Sequence, residues 1–225
     1  MSAVFVTGTG TDIGKTFVTA GLIRHLRAAG RNVRALKPVL TGFDPIEWEN
    51  SDPAILLSTL GRSITLEEIT RISPWRFKAP LSPNMAAERE GRTIAFDEVV
   101  EFCRQAAANY SGTVFIEGIG GIMVPLDDDR TVLDWISVLR SPIILVTGTY
   151  VGTISHTLTA LEVVARRNID VTAIAVSESE SGAASLDDTV ATLGRFADSI
   201  DVIGIARVIN PSRENDAFAR LAALI

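Results

Sequence analysis

The chain has 225 residues, a formal net charge of -6 at pH 7 and one cysteine, Cys103. This length suits a single α/β domain over residues 1–225, the acidic balance argues against nucleic acid as a partner, and the lone cysteine fits a reducing cytoplasm. No apolar run approaches the roughly 20 residues that span a bilayer, and the first strand leaves no room for a signal peptide, so we expect no membrane association.

The stretch from Val4 to Thr16 predicts a buried strand, a loop with three glycines and the start of a helix. Its last three residues are Gly14, Lys15 and Thr16. In this order of elements, the loop N–H groups and the helix N-terminus face an anion, Lys15 adds a positive charge, and the Thr16 hydroxyl can bind Mg²⁺. The stretch therefore predicts a nucleotide phosphate site, against the alternative of a glycine-rich turn with a chance lysine.

The loop departs from the usual pattern G-x-x-x-x-G-K-[ST] at one position. Thr9 stands where that pattern has glycine, and Gly8 lies one residue too early. Because a β-branched residue is costly at positive φ, we expect Gly8 and Gly10 to have the unusual backbone dihedral angles.

A helix from Lys15 to Ala29 and a strand from Asn32 to Val39 are predicted next. Lys37 lies at the carboxyl end of that strand, directly before Pro38. Ligands of open α/β sheets bind at the carboxyl ends of strands, so Lys37 is either a partner of Lys15 or a surface lysine that ends a strand.

Asp52-Pro53 begins a short helix, and by geometry alone Asp52 is its N-cap. Residues 71–83 are rich in Pro, Trp and Phe and indicate an ordered, irregular segment. Helices are predicted near 84–89 and over 96–109, the second with Cys103 as a core residue.

Thr113–Glu117 is another apolar strand and it ends in a carboxylate. Gly118, Gly120 and Gly121 follow, and they allow the backbone to approach a ligand closely. Glu117 beside a phosphate loop suits Mg²⁺ coordination or water ordering, the alternative being a carboxylate that faces solvent. The three carboxylates of 127–129 indicate a solvated turn.

The alternation of strands and helices continues to the end of the chain. Because it is regular, we expect a doubly wound, mainly parallel sheet with helices on both faces. The helix that begins at Thr153 could bind a carboxylate through its free N–H groups or could simply be capped. The remaining predicted strands are 142–147, 170–177 and 201–204, and the remaining predicted helices are 153–167, 185–198 and 215–225.

Taken alone, these residues indicate a Mg²⁺-nucleotide and chemistry at the γ-phosphate. The chain has no N-K-x-D run of the kind that reads guanine, so ATP is preferred over GTP.

In the order and spacing of its motifs, the chain resembles the dethiobiotin synthetase family of the P-loop NTPase-like superfamily. The five-residue gap of the phosphate loop is that family's own form, and the resemblance covers nearly the whole chain. The motifs that carry it, in order, are Gly8–Thr16, Leu36–Gly42, Asn50–Asp52, Ile116–Gly121, Pro125-Leu126, Asp134-Trp135 and Gly152–His156.

The resemblance implies an ATP-dependent ring closure in biotin synthesis. CO₂ carboxylates 7,8-diaminononanoate to a carbamate, which attacks the γ-phosphate to give a carbamic–phosphoric anhydride. The neighbouring amine then closes the ureido ring and releases phosphate and ADP. The family is homodimeric, with the substrate carboxylate on the helix start of the partner subunit.

The resemblance also implies roles for individual residues. Lys15 and Lys37 would be the catalytic residues, which neutralise charge on the carbamate and the transferring phosphoryl group. Thr16, Asp52 and Glu117 would hold Mg²⁺. Thr41 would touch the substrate, and Thr153, Ile154 and Ser155 would bind its carboxylate. The implied ATP-binding residues are Thr11, Asp12, Ile13, Gly14, Lys15, Thr16, Phe17, Asp52, Glu117, Gly118, Ile119, Gly120, Ser177, Arg207 and Val208.

The chain departs from the family pattern in three places. Ser177 and Glu178 stand where an asparagine usually reads adenine, and the late loop Ile205–Val208 lacks the usual proline. Thr189 stands where an aromatic residue often lines the substrate tail. These three positions concern the adenine base and the substrate tail. The lysines (Lys15, Lys37) and the metal carboxylates (Asp52, Glu117) match the family pattern.

Two other functional classes share the phosphate loop. One is a partition-type ATPase, which typically has an extra lysine early in the loop; residues 9–12 contain none. The other is an amidating ligase or small-molecule kinase without the Lys37-Pro38-Val39 element.

Overall fold

The computed structural model describes residues 2–207 and 211–225. Its strands are β1 (Ser2–Gly8), β2 (Val33–Leu36), β3 (Val39–Thr41), β4 (Trp75–Phe77), β5 (Thr113–Glu117), β6 (Ile143–Thr147), β7 (Val171–Ser177) and β8 (Asp201–Ile205). Its α-helices are α1 (Lys15–Ala28), α2 (Asp52–Thr59), α3 (Leu66–Ile72), α4 (Pro83–Arg89), α5 (Phe96–Ala108), α6 (Val132–Leu139), α7 (Thr153–Arg166), α8 (Leu186–Gly194) and α9 (Pro211–Ala222). A short 3₁₀ turn covers Trp48–Asn50.

Six parallel strands form the central sheet, in the order β2-β5-β1-β6-β7-β8. Every residue of β5 and β6 is buried, as the continuous apolar runs of these strands require when helices cover both faces. The ring of Phe5 on β1 meets Trp135 on α6 edge to face, with 4.8 Å between centroids. The predicted doubly wound, parallel α/β fold is confirmed.

The centre of the sheet determines where a ligand can bind. The chain passes from β1 to α1, and β1 lies between β5 and β6. All three strands are parallel, so the loops that follow their carboxyl ends meet at one edge. This edge brings the 9–14 loop next to the loops that begin at Gly118 and Gly148.

The strand predicted from Asn32 to Val39 is wrong at its second half. β2 ends at Leu36, and the Lys37 N–H donates to Ile72 O at 3.0 Å instead of continuing the ladder. Pro38 has no N–H to give, so the chain leaves the sheet here. β3 follows and pairs with β4 in a separate two-stranded sheet. Of these two strands, β4 lies within residues 71–83, the segment predicted to be irregular.

The N-cap prediction for Asp52 is also wrong. Ser51 has the extended backbone of an N-cap (φ -70, ψ 156), and Asp52 is the first helical residue, with Pro53 next to it. Asp52 is therefore free of the capping role and its carboxylate is available to other partners.

Two further helices, α3 and α6, were not predicted, although both have a local signal. Thr65 accepts a hydrogen bond from the N–H of Glu68, and Thr131 with Asp134 forms a reciprocal capping box before α6. A Thr followed three residues later by an acid is the pattern that marks such helix starts.

None of the helices in the described residues combines the length and the apolar character needed to cross a bilayer.

Candidate active site

The phosphate loop, residues 9–14, joins β1 to α1. Positive φ angles occur at Asp12 (55°) and Gly14 (93°), so the expectation that Gly8 and Gly10 have them is wrong. Gly8 is closely packed, because a Cβ there would lie 2.5 Å from Ile13 Cδ1 and 3.0 Å from the carbonyl oxygen of Val146. The left-handed residues turn the loop just before the helix begins at Lys15.

Lys15 is buried at the start of α1, and its Nζ donates to the carbonyl of Gly10 at 2.7 Å. Burial, with the positive charge of Lys37 acting in the same direction, lowers the pKa of Lys15 to about 8. The carboxylates of Glu117 and Asp52 partly offset this effect. The lysine predicted from the loop motif thus spans the loop and lies near a second cation.

That second cation, Lys37, is at the centre of an ion cluster. Its Nζ donates to Glu117 Oε1 at 2.7 Å and to the carbonyl of Gly118 at 2.9 Å, and it lies 3.0 Å from Asp52 Oδ2. The Thr16 hydroxyl donates to the same Glu117 oxygen at 2.7 Å. Residues predicted separately from four stretches of sequence therefore meet in one place.

The ion pairs favour the charged forms of Lys37 and Asp52. Burial disfavours the ammonium of Lys37, but the negative charges of Glu117 and Asp52 prevail and raise its pKa above the ordinary value. Burial likewise opposes ionisation of Asp52, and Lys37 nevertheless holds the pKa of that carboxyl below its ordinary value. Lys37 is a buried, paired ammonium, so the alternative of a surface lysine is wrong.

The oxygen atoms around Thr16 fit a hard divalent cation. Glu117 is fully buried, and its Oε2 has no hydrogen-bond partner among the described residues. An unpartnered buried carboxylate oxygen is costly unless a ligand satisfies it. Two carboxylates and one hydroxyl are the oxygen ligands that Mg²⁺ prefers. The described residues contain no cluster of three or more His, Cys, Asp and Glu.

A cavity of about 330 Å³ lies between the phosphate loop and Lys37. It brings together most of the residues predicted for the phosphates, the metal and the reacting end of the substrate. Leu40 also lines it and was not predicted, since nothing in an apolar residue of β3 marks it in the sequence. The predicted residues that line it are Thr11, Asp12, Gly14, Lys15, Thr16, Phe17, Lys37, Thr41, Asp52, Ile119 and Gly120.

A second cavity, of about 550 Å³, lies on the other side of Gly14 and Phe17. Ile13, Ser177 and Arg207 line it together with Glu178. Arg207 donates its backbone N–H to Glu178 Oε2 at 2.9 Å, which joins two of the residues that line this cavity. Val208, also predicted to contact ATP, lies outside the described residues.

The glycines after β5 allow the backbone to pack closely against the phosphate loop and β1. A Cβ on Gly121 would lie 3.1 Å from the carbonyl oxygen of Thr9, and one on Gly118 would lie 2.8 Å from the Phe5 ring. The expected close backbone approach is therefore made to the phosphate loop and to β1, and it is this approach that holds the two loops together.

The predicted carboxylate-binding residues lie at the start of α7. The Thr153 side chain is buried and donates to the carbonyl of Gly148 at 2.7 Å, and its N–H donates to Tyr150 O at 3.1 Å. Both donors of Thr153 are thus used inside the protein. The N–H groups of Ile154 and Ser155 lie in the first turn, where a helix supplies no acceptor of its own.

The loop, the parallel sheet and the paired lysine define a P-loop-type nucleotide-binding domain. The MinC:MinD cell division protein complex of Aquifex aeolicus has a similar fold, with a TM-score of 0.54 over 96% of this chain and 86% of that one. At 11% identity this likeness concerns the fold alone.

Sequence relatives narrow the class. The AAA_26 family model, described as an AAA domain, matches residues 2–208. An ATP-dependent dethiobiotin synthetase BioD of Methylobacterium nodulans is 48% identical over 214 residues, which is 92% of this chain and 94% of the relative. Another, of Acidiphilium cryptum, is 48% identical over 181 residues, 80% and 81% of the two chains. The chain belongs to the ATP-dependent dethiobiotin synthetase family, and it is an ATP-dependent ligase of biotin biosynthesis.

Replacing Gly14 by alanine tests the geometry of the loop. Alanine is strained at φ 93°, and its Cβ would lie 2.4 Å from Ser177 Oγ. We expect Gly14→Ala to lower the free energy of unfolding by about 1–3 kcal/mol and to weaken ATP binding. Urea denaturation and calorimetric titration with ATP measure the two effects.

Gly194→Ala is the matched control, because a Cβ there meets nothing within 4 Å. Alanine in this helix should leave stability unchanged or raise it by up to about 1 kcal/mol. If Gly14→Ala behaves like Gly194→Ala in both measurements, the loop does not have the described conformation.

Proposed function

We propose that this enzyme closes the ureido ring of dethiobiotin from 7,8-diaminononanoate, CO₂ and ATP in three steps. One amine of the diamine bonds to CO₂ and loses a proton, which gives a carbamate. A carbamate oxygen attacks the γ-phosphorus, and ADP leaves. The second amine attacks the carbonyl carbon of the resulting carbamic–phosphoric anhydride and loses a proton, and phosphate leaves as the ring closes. The observation that carries this proposal is the pair of buried lysines beside one cavity, with Lys37 held by Glu117 and Asp52.

ATP lies along the phosphate loop in this proposal. The N–H groups of the loop and of the first turn of α1 face the phosphates, and Lys15 supplies the positive charge. The base is assigned to the cavity beside Ser177 and Arg207, which is continuous with the loop through Gly14. Gly118, Ile119 and Gly120 cover the terminal phosphate from the side of β5.

Mg²⁺ is assigned to Thr16, Asp52 and Glu117. The support is the chemistry of these donors: all are oxygens, two are carboxylates, and Glu117 Oε2 has no partner in the described protein. The bound ion supplies charge neutralisation at the phosphate oxygens. Asp52, at the first turn of α2, is partly exposed and can reach toward the cavity.

The two lysines have different roles in the transfer. Lys37 lies at the end of β2, across the cavity from the phosphate loop, where it faces both the carbamate and the γ-phosphate. Lys15 approaches from the loop side. As the phosphoryl group moves, negative charge spreads over its oxygens, and fixed cations in a site shielded from water stabilise that charge better than water does.

The substrate is bound at both ends. Thr41, at the end of β3, lines the cavity of Lys37 and contacts the diamine end. The carboxylate is assigned to Ile154 and Ser155 at the start of α7 of the partner subunit in a homodimer. Because both donors of Thr153 are used internally, its contribution is to hold this helix start in place.

The experiment that tests the proposed reaction measures phosphate release. With Mg²⁺ and ATP present, we expect release to require both diaminononanoate and bicarbonate, because the phosphoryl acceptor is the carbamate that forms from them. A diamine series of varied chain length and a dependence on CO₂ concentration sharpen the assay. Phosphate release at the same rate without the diamine contradicts the proposal.

Lys37→Gln tests the role of the paired lysine. Glutamine keeps much of the side-chain volume and can donate to Glu117, but it has no charge. We expect turnover to fall by about 10²–10⁴, with ATP affinity changed less than tenfold, because the lost charge acts mainly on the transferring group. Steady-state kinetics and calorimetric ATP titration separate the two effects, and a melting curve verifies folding.

Lys78→Gln is the control, since Lys78 is the only other lysine of the sequence and it is exposed. It should retain wild-type turnover. Wild-type turnover in Lys37→Gln as well rejects the role assigned to Lys37.

A further inference from the structure

A chain of hydroxyl groups connects the surface of α7 to the phosphate loop. His156 Nδ1 lies 3.1 Å from the Tyr150 hydroxyl, which lies 3.0 Å from Thr9 Oγ1. Thr9 Oγ1 is also 3.0 Å from Thr147 Oγ1, which is 2.8 Å from Thr153 Oγ1. The family resemblance accounts for none of these contacts, and Tyr150 and Thr147 belong to none of the motifs that carry it.

The buried end of the chain determines which atom donates in each bond. Thr153 Oγ1 lies 2.7 Å from the carbonyl of Gly148, and a carbonyl can only accept, so the single hydroxyl proton of Thr153 points there. The hydroxyl of Thr157 also lies at this end, 2.9 Å from Thr147 Oγ1 and 2.7 Å from the carbonyl of Thr153, and it is the donor to both. With the Thr153 and Thr157 protons directed in this way, Thr147 donates to Thr153 and accepts from Thr9. The opposite direction would leave two acceptors facing each other at 2.7 Å in a buried position.

The donor direction continues from Thr9 to the protein surface. Thr9 has given its proton to Thr147, so the Tyr150 hydroxyl donates to Thr9. Tyr150 then accepts from His156, and His156 must bear a proton on Nδ1. A neutral histidine in water prefers the proton on Nε2, so the network selects the less common tautomer.

Thr9 is the residue at which this network meets the nucleotide site. Its N–H donates to Val146 O at 3.0 Å, and its carbonyl lies against Gly121, so its backbone is fixed from two sides. The next residue, Gly10, accepts the Lys15 ammonium. The side-chain bonds of Thr9 are therefore the last constraint on the chain before the residues that face the phosphates.

We propose that Tyr150 and His156 are positioning residues for the phosphate loop, acting through a one-directional hydrogen-bond chain that ends on Thr9. The proposal rests on the proposed function in one respect, that the triphosphate binds on this loop. The chain also joins the loop to the start of α7, because Thr153, the first residue of that helix, belongs to it.

The tautomer of His156 is the direct test of the network. In protein labelled with ¹⁵N-histidine, long-range ¹H–¹⁵N correlation spectra at a pH where the ring is neutral distinguish a protonated from an unprotonated ring nitrogen. We expect Nδ1 of His156 to be protonated in the wild type and the ring to revert toward Nε2–H in Tyr150→Phe. His25, the other histidine of the sequence, is the internal reference and should be the same in both proteins. An unprotonated Nδ1 in the wild type overturns the proposal.

Kinetics test whether the network positions the loop. Without the Tyr150 hydroxyl, a smaller fraction of the protein has the loop ready for ATP, so we expect Tyr150→Phe to raise the KM for ATP about three- to tenfold, with kcat within about twofold. Tyr110→Phe is the control, since it removes the only other tyrosine hydroxyl and keeps the ring on which Arg34 stacks. It should leave both constants unchanged. Equal KM values in Tyr150→Phe and the wild type overturn the positioning role.

A double-mutant cycle with Thr9→Val identifies the route of the effect. If Tyr150 acts through Thr9, the double variant should have the KM of the worse single variant, whereas multiplied effects contradict that route. The tautomer measurement needs no substrate, so its outcome is separable from that of the phosphate-release assay. If the network is present but the enzyme catalyses a different reaction, Nδ1 of His156 is protonated while the phosphate-release assay fails. If the network is absent, Nδ1 is unprotonated whatever the assay gives.

Discussion

The ion cluster around Lys37 is the interaction on which the rest of the site depends. One ammonium joins the end of β2, the first turn of α2 and the end of β5 through Asp52 and Glu117. A buried charge without a partner is unstable, and removing one member of such a pair typically costs about 3–5 kcal/mol. The three elements must therefore keep their relative positions, and the cavity beside the phosphate loop keeps its shape as a consequence.

The cluster also reconciles an acidic protein with an anionic co-substrate. The net charge of -6 repels a triphosphate at long range, yet two of the few lysines are buried beside one cavity. Fixed cations that need no rearrangement during the reaction are what phosphoryl transfer requires. The carboxylates that stabilise Lys37 are, in the proposed function, also the ligands of Mg²⁺, so a few side chains organise both the resting protein and the reaction. Family membership establishes that the chain is an ATP-dependent ligase, and the proposed function assigns the phosphoryl chemistry to this cluster.

Much of the fold and the site was predictable because the signals are local or follow from parallel strands. The strand, loop and helix around Lys15 are contiguous, and Lys37 and Glu117 each lie at a strand end, which places them at one edge of the sheet. The rest depends on partners far along the chain. β3 was missed because its partner β4 lies beyond two helices. The expectation for Gly8 and Gly10 was wrong because the positive φ angles of the loop fall on Asp12 and Gly14. The contact of Thr9 with Tyr150 joins residues 141 positions apart and has no sequence signal.

The most direct measurement of the central claim is a crystal structure with Mg²⁺ and a non-hydrolysable ATP analogue. We expect a triphosphate along residues 10–16, a metal ion bound by Thr16, Asp52 and Glu117, and Lys37 Nζ at about 3 Å from a terminal phosphate oxygen. A nucleotide bound elsewhere, or a Lys37 side chain turned into solvent while the analogue fills the loop, would contradict it.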